Sequence, residues 1–260
     1  MLKSTTKFTI FAIIVFLSIF FSTSVCAHTL WLNATHHYPE IFSHPKYAPV
    51  PRAKTVIYFG WGHKLPVCDI FSNDYLDKFG LVEPDGSKKE LKPGQGGFMA
   101  TELSMQKEGG RIVTASVKPG FHGDVAGKKD FYELRYEMYA KALIAVGDVK
   151  NNLFSKPVGQ RFEIIPMQNP KDLKPGDWFE FKVLLDGKPA KGVEITASPY
   201  AKPDVTVVDN LNYKETAKIR IVDCYGPWII TAKLELHPTD EFKDKCAKLY
   251  FISTLTFEVP

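Results

Sequence analysis

Tyr250-Phe251-Ile252-Ser253-Thr254-Leu255-Thr256-Phe257-Glu258-Val259 closes the chain, and its reading decides the fold class. Aromatic and branched residues dominate it, and Leu255, Phe257 and Val259 alternate with Thr254, Thr256 and Glu258. A period of two sends successive side chains to opposite faces of an extended chain, so the run predicts a half-buried β-strand. The same signature recurs upstream in Thr55–Phe59, Arg111–Val117 and Val193–Ser198. Turn signals separate these runs: Pro84-Asp85-Gly86, Lys118-Pro119-Gly120, Lys174-Pro175-Gly176 and Asp186-Gly187-Lys188-Pro189. Many short strands between such turns predict an all-β protein built of β-sandwiches.

Two segments read less simply. Tyr132–Ala145 carries Leu134, Met138 and Ala142 at helical spacing, yet it ends in an apolar run suited to a strand, and a strand late in the segment is the expectation. Asn73–Phe79 reads as a short helical turn. The step Ile165-Pro166-Met167-Gln168-Asn169-Pro170 divides the chain into a β-rich N-terminal domain, 28–166, and a C-terminal β-sandwich domain, 167–260. Trp31, Trp61, Trp178 and Trp228 fall in or beside strand runs and are expected to fill cores, with Trp31 and Trp61 also placed to wall a metal pocket.

The first 27 residues read as a cleavable export signal: Lys3 and Lys7, an apolar run from Phe8 to Phe21, then Val25-Cys26-Ala27 with small residues before the cut. The rival reading is a lipoprotein cut before Cys26. Cleavage after Ala27 gives a protein near electrical neutrality with no basic stripe, which argues against a nucleic-acid partner. It also leaves three cysteines, Cys68, Cys224 and Cys246. Spacing leaves a Cys224–Cys246 bridge open, against three buried reduced thiols.

Several motifs in order carry a family resemblance. They are Ala27-His28 followed by Leu30-Trp31-Leu32; Gly60-Trp61-Gly62-His63 after a strand; the join Pro157–Pro166; and Leu173-Lys174-Pro175-Gly176-Asp177 with Leu185-Asp186-Gly187-Lys188-Pro189. Gly226-Pro227-Trp228-Ile229-Ile230 and Leu255-Thr256-Phe257 complete the set. The chain resembles the exported proteins of the DUF4198 family, often labelled as nickel-uptake-related periplasmic proteins. The resemblance implies a periplasmic β-rich protein, associated in part of the family with nickel or cobalt uptake. The second region resembles transthyretin-like or immunoglobulin-like sandwiches, a likeness of fold alone.

His28 is the first candidate for chemistry. As a mature N-terminus it offers an α-amine and an imidazole Nδ1, which close a six-membered chelate on a divalent metal. Such nitrogens suit Ni²⁺, Co²⁺, Cu²⁺ and Zn²⁺, and an amine with a reference pKa near ~8 loses its proton readily to a metal. The competing reading makes His28 only the start of a first strand. His63 is the second ligand candidate, at the end of a strand where Gly60 and Gly62 let backbone approach another segment closely. If the first mature strand runs beside this one, His28 and His63 converge at one sheet end. His122 and Asp124, in a glycine-marked turn, are further candidates, as ligand or as imidazole partner. Cys68 is a minor candidate for a soft metal. His36 and His37, as strand neighbours, point to opposite faces. The His36–His44 loop reads as a metal-collecting or simply solvated loop, and His237 as a surface residue.

These residues predict a non-enzymatic periplasmic metal-binding protein that captures Ni²⁺, or Co²⁺, for a membrane permease. A histidine-brace copper oxidase and an envelope scaffold or adhesion protein are the alternatives. Neither a nucleophile elbow nor a phosphate loop stands out.

Overall fold

The computed structural model describes residues 28–63, 65–149, 152–211, 215–222 and 224–260. The expected export signal and its cut after Ala27 lie outside them. The first half holds β1 (Thr29–Ala34), β2 (Phe42–His44), β3 (Ala48–Gly62), β4 (Leu76–Val82), β5 (Lys88–Glu90), β6 (Thr101–Met105), β7 (Gly109–Val117), β8 (Gly120–Asp124) and β9 (Tyr132–Val146). The second holds β10 (Phe162–Pro166), β11 (Trp178–Leu185), β12 (Lys188–Pro189), β13 (Val193–Pro199), β14 (Val207–Leu211), β15 (Ala217–Arg220), β16 (Gly226–Leu236) and β17 (Cys246–Val259). The helical content of the described residues is confined to single 3₁₀ turns, one of them at Asn73–Tyr75; the rest of the expected Asn73–Phe79 turn, Leu76–Phe79, belongs to β4.

The protein is all-β and sandwich-packed. Nine strands form a middle sheet in the order β14-β13-β16-β17-β9-β7-β4-β5, with β8 also on β9. One smaller sheet, β1-β3-β2 with β6 on β3, packs on one face; the other, β10-β11-β12 with β15 on β11, packs on the opposite face. The alternation along β9 records this. Leu143 and Ala145 join the core shared with the β10–β11 sheet, while Met138, Ala140, Ala142, Ile144 and Val146 join the core shared with the β1–β3 sheet.

The two expected sandwiches therefore share a layer. β17, from the last residues of the chain, pairs in parallel with β9, Tyr250 opposite Tyr136 and Thr254 opposite Ala140. The Pro166–Pro170 step is a connection between two paired strands of one sheet, with Ile164 opposite Val183 and Pro166 opposite Phe181. β9 and β17 are covered on both faces, and Ala142–Val146 at the end of β9 is buried throughout and carries no polar residue. That explains the ambiguous Tyr132–Ala145 segment, which is one strand throughout. It also corrects the half-buried reading of the closing run. Thr254 and Thr256 are buried, and their hydroxyls donate to Leu30 O at 2.8 Å and Leu32 O at 2.6 Å. A hydroxyl buried without such a partner costs roughly 1–3 kcal/mol, so these bonds fix where β1 lies on the middle sheet.

One open alternative is settled and one expectation corrected. Cys224 and Cys246 are free and buried. Cys246 opens β17, whereas Cys224 lies beside Gly226, which pairs with Val259 at the far end of β17. A strand of that length spans about 40 Å, far beyond the ~7 Å limit for bridged Cα atoms. Trp31 and Trp228 are core residues, but Trp178 is 48 % exposed, with Lys218 Nζ 4.8 Å from its ring centroid. As an amphipathic ring on a sheet surface it serves as a cation–π platform.

Candidate metal centre

β1 and β3 run antiparallel, with Thr29 opposite Gly62 and Leu30 opposite Trp61. This pairing brings the residue before β1 and the residue after β3 to one sheet end. The His28 and His63 ring centroids are 4.4 Å apart, and His28 stacks on Trp61 at 5.4 Å. Gly60 and Gly62 act as the sequence suggested. A Cβ on Gly60 would lie 2.0 Å from Trp31 Nε1, and one on Gly62, where φ is +126°, would lie 2.1 Å from Cys68 Sγ. Trp31 is thereby packed flat beneath the strand, and its Nε1 donates to Pro66 O at 3.2 Å.

The chain after His63 folds straight back. Asp69 N donates to Trp61 O at 3.1 Å, an isolated bridge that sets Asp69 beside β3. Its Oδ2 then stands 3.1 Å from His28 Nε2, while its Oδ1 accepts from Ile70 N at 2.7 Å. Sequence reasoning missed Asp69. A carboxylate only accepts, so in the neutral form of the His28 ring Nε2 carries the proton and Nδ1 keeps its lone pair. A ligand imidazole whose second nitrogen donates to a carboxylate is the usual arrangement around bound metals. The nitrogen left open is the one that closes a chelate with an α-amine on the same residue.

Partial burial holds the His63 pKa below the usual histidine value, helped by the nearby His28 and Lys233 and opposed by Asp69. The neutral ring, the form that binds metals, is thus favoured. Cys68 Sγ accepts from His63 N at 3.0 Å and packs against Gly62. Its place is in the turn that returns the chain to Asp69.

His122 and Asp124 are exposed on β8, opposite Leu134 and Tyr132 of β9. β8 pairs with β9 on the side away from β17, whereas the groove beside His63 is walled by β13 and β16, beyond β17. The structure does not bring these two residues to the His28–His63 pair. Among the described residues no group of three or more His, Cys, Asp or Glu side chains is placed to hold a metal ion. What the described residues bring together at this sheet end is two imidazoles, His28 and His63, with the Asp69 carboxylate behind His28.

The remaining histidines have other surroundings. His36 faces solvent and His37 faces inward, 1 % exposed, although both lie in the loop after β1 and not in a strand. His44 Nδ1 accepts from Lys46 N and Tyr47 N and stabilises the β2–β3 turn. His237 is exposed. Among the described residues no helix is long and apolar enough to cross a membrane.

Comparison with known proteins gives a family and little more. No curated protein matches the chain. Among solved structures it is similar to Salmonella alpha-2-macroglobulin reacted with methylamine, at 12 % identity and a TM-score of 0.25, covering 90 % of this chain and 15 % of that one. The chain thus spans a small part of that protein, and a likeness this distant carries no argument. The family described as "Domain of unknown function (DUF4198)" matches over residues 25–221, a span that includes His28, His63 and Asp69. Most of the chain lies within that match, and the protein belongs to the DUF4198 family.

Proposed function

We propose that this protein is exported to the periplasm, captures Ni²⁺ or Co²⁺ at His28 and His63, and yields it to a membrane uptake permease. The observation that carries the reading is the Asp69–His28 bond beside the His63 ring, because it reserves Nδ1 of His28 for a metal. With cleavage after Ala27, the α-amine and Nδ1 chelate the ion and His63 supplies a third nitrogen. A three-nitrogen, partly exposed site suits cargo that must leave again. A resident structural ion is held by a full, closed ligand set.

The test is calorimetric titration with Ni²⁺ of protein that starts at His28 and of protein carrying one extra residue before it. The expected result is a large loss of affinity on extension. Equal affinities would sink the terminal chelate. Copper binds such nitrogens more tightly by intrinsic order, so the titration is repeated with Cu²⁺ and Co²⁺. Copper-loaded protein given a reductant and a polysaccharide substrate should release no oxidised product, and release would favour the histidine-brace alternative.

A further inference from the structure

We infer that the groove beside His63 holds a small carboxylate-bearing chelator, which arrives with the metal and completes its coordination. This rests on the metal-capture reading and goes one step past it, to the form in which the cargo is bound. Three protein nitrogens fall at least one short of the four in-plane donors that nickel takes in square-planar or tetragonal sites. Among the described residues no further His, Cys, Asp or Glu group closes the set.

What lies next to His63 is a groove of about 360 Å³ between β1 and the outward face of β13 and β16, a size within the range of small-molecule sites. Thr196 and Thr231 are directly opposite in the β13–β16 register, so their hydroxyls stand side by side, with Ser198 and Lys233 further along the same face. Trp31 and Ile229 supply an apolar floor. Lys233 and His63 line the same groove, so the ammonium and the imidazole face one space. Glu194 stands opposite Lys233 in the register but outside the groove lining. Asp204 lies on the exposed rim and disfavours a carboxylate at that end. Hydroxyl donors in a row leading to an ammonium recognise a carboxylate through charge-assisted hydrogen bonds. A hydroxycarboxylate and a free amino acid share that chemistry.

The experiment is equilibrium dialysis of protein starting at His28 with Ni²⁺ and radiolabelled citrate or radiolabelled L-histidine. One or both labels should be retained at one per bound Ni²⁺, and neither without the metal; which label is retained identifies the source. Lys233→Met should lower retention about tenfold or more, as expected for losing a charge-assisted bond, while Ni²⁺ itself is still bound. Thr196→Val, which keeps shape and removes one hydroxyl, should act in the same direction. Ni²⁺ bound without either label, or equal retention by Lys233→Met, overturns the chelator and leaves metal capture standing. No Ni²⁺ bound at all overturns both.

Discussion

Asp69 Oδ2 lies 3.1 Å from His28 Nε2, across a turn that Cys68 and a single backbone bridge hold in place. The bond does for His28 what sequence position alone cannot, since it chooses the nitrogen. Without it the neutral ring is free to carry its proton on Nδ1, the atom needed for the chelate. Asp69→Asn keeps the size of the side chain and removes its charge. We expect Ni²⁺ affinity to fall by about 10- to 100-fold, the usual cost of losing a carboxylate partner behind a ligand imidazole, with thermal stability nearly unchanged because both groups are largely solvated. Calorimetry and a thermal melt on the same sample check this, and unchanged affinity would remove Asp69 from the site.

Gly60→Ala tests the support beneath the site. The added carbon would overlap the Trp31 ring, which is almost fully buried and fixed by its bond to Pro66 O. Neither ring nor strand has room to yield. Overpacking of this kind costs about 1–3 kcal/mol, and it displaces the β1–β3 pairing that aligns His28 with His63. A lowered denaturation midpoint together with weaker Ni²⁺ binding is expected. Gly86→Ala, in a distant turn where φ is +84° and the added Cβ strains the backbone without meeting a neighbour, should lower stability yet leave Ni²⁺ binding intact.

How much of this was legible depended on whether a residue's partner lay near in pattern. His28, Gly60, Gly62 and His63 could be read because adjacent strands with short motifs at their ends have few ways to pair. The structure pairs β1 with β3. Asp69 was missed because it works through a loop that doubles back, and Val67-Cys68-Asp69 carries no periodic signal. His122 and Asp124 lie away from the His28–His63 pair, and a histidine and a carboxylate in a turn look alike whether or not the sheet order brings them to a shared site. The shared middle sheet was hidden for another reason. The parallel β9–β17 contact joins residues more than a hundred positions apart, and the alternation within a strand does not name the strand it pairs with.

His37 gives the fold a pH dependence of its own. It is buried, its Nδ1 donates to Leu143 O at 2.7 Å, and burial lowers its pKa to about 4. The folded state thus binds the proton less readily than the unfolded chain, whose histidine titrates near ~6.5. His37 contributes full stability above that value, and the contribution is lost as pH falls from about 6.5 through about 4. At 1.36 kcal/mol per unit the loss is about 3 kcal/mol. Urea denaturation of the wild type and of His37→Asn at pH 7 and pH 4.5 checks it. Asn retains a donor for Leu143 O but does not titrate, so the variant should lose less stability between the two pH values than the wild type.

Lys141 and Glu163 pin the middle sheet to the β10–β11 sheet. Both are almost fully buried; Lys141 Nζ donates to Glu163 Oε1 at 2.7 Å, which also accepts Val158 N at 2.6 Å, while Gly159 N donates to Oε2 at 3.2 Å. Burial drives the Lys141 pKa down, and Glu163 opposes that shift. Removing one partner leaves an uncompensated charge in the core, which costs about 3–5 kcal/mol. Lys141→Met should therefore destabilise strongly, through a carboxylate left with only two backbone donors. Adding Glu163→Gln removes that charge and keeps an oxygen for Val158 N, so the double variant should recover much of the loss. The prediction is a positive coupling between the two substitutions in a denaturant double-mutant cycle. Losses that merely add would show that the two groups do not act as a pair. Ni²⁺ affinity should stay unchanged in the double variant, because the pair lies on the opposite face of the middle sheet from β1 and β3.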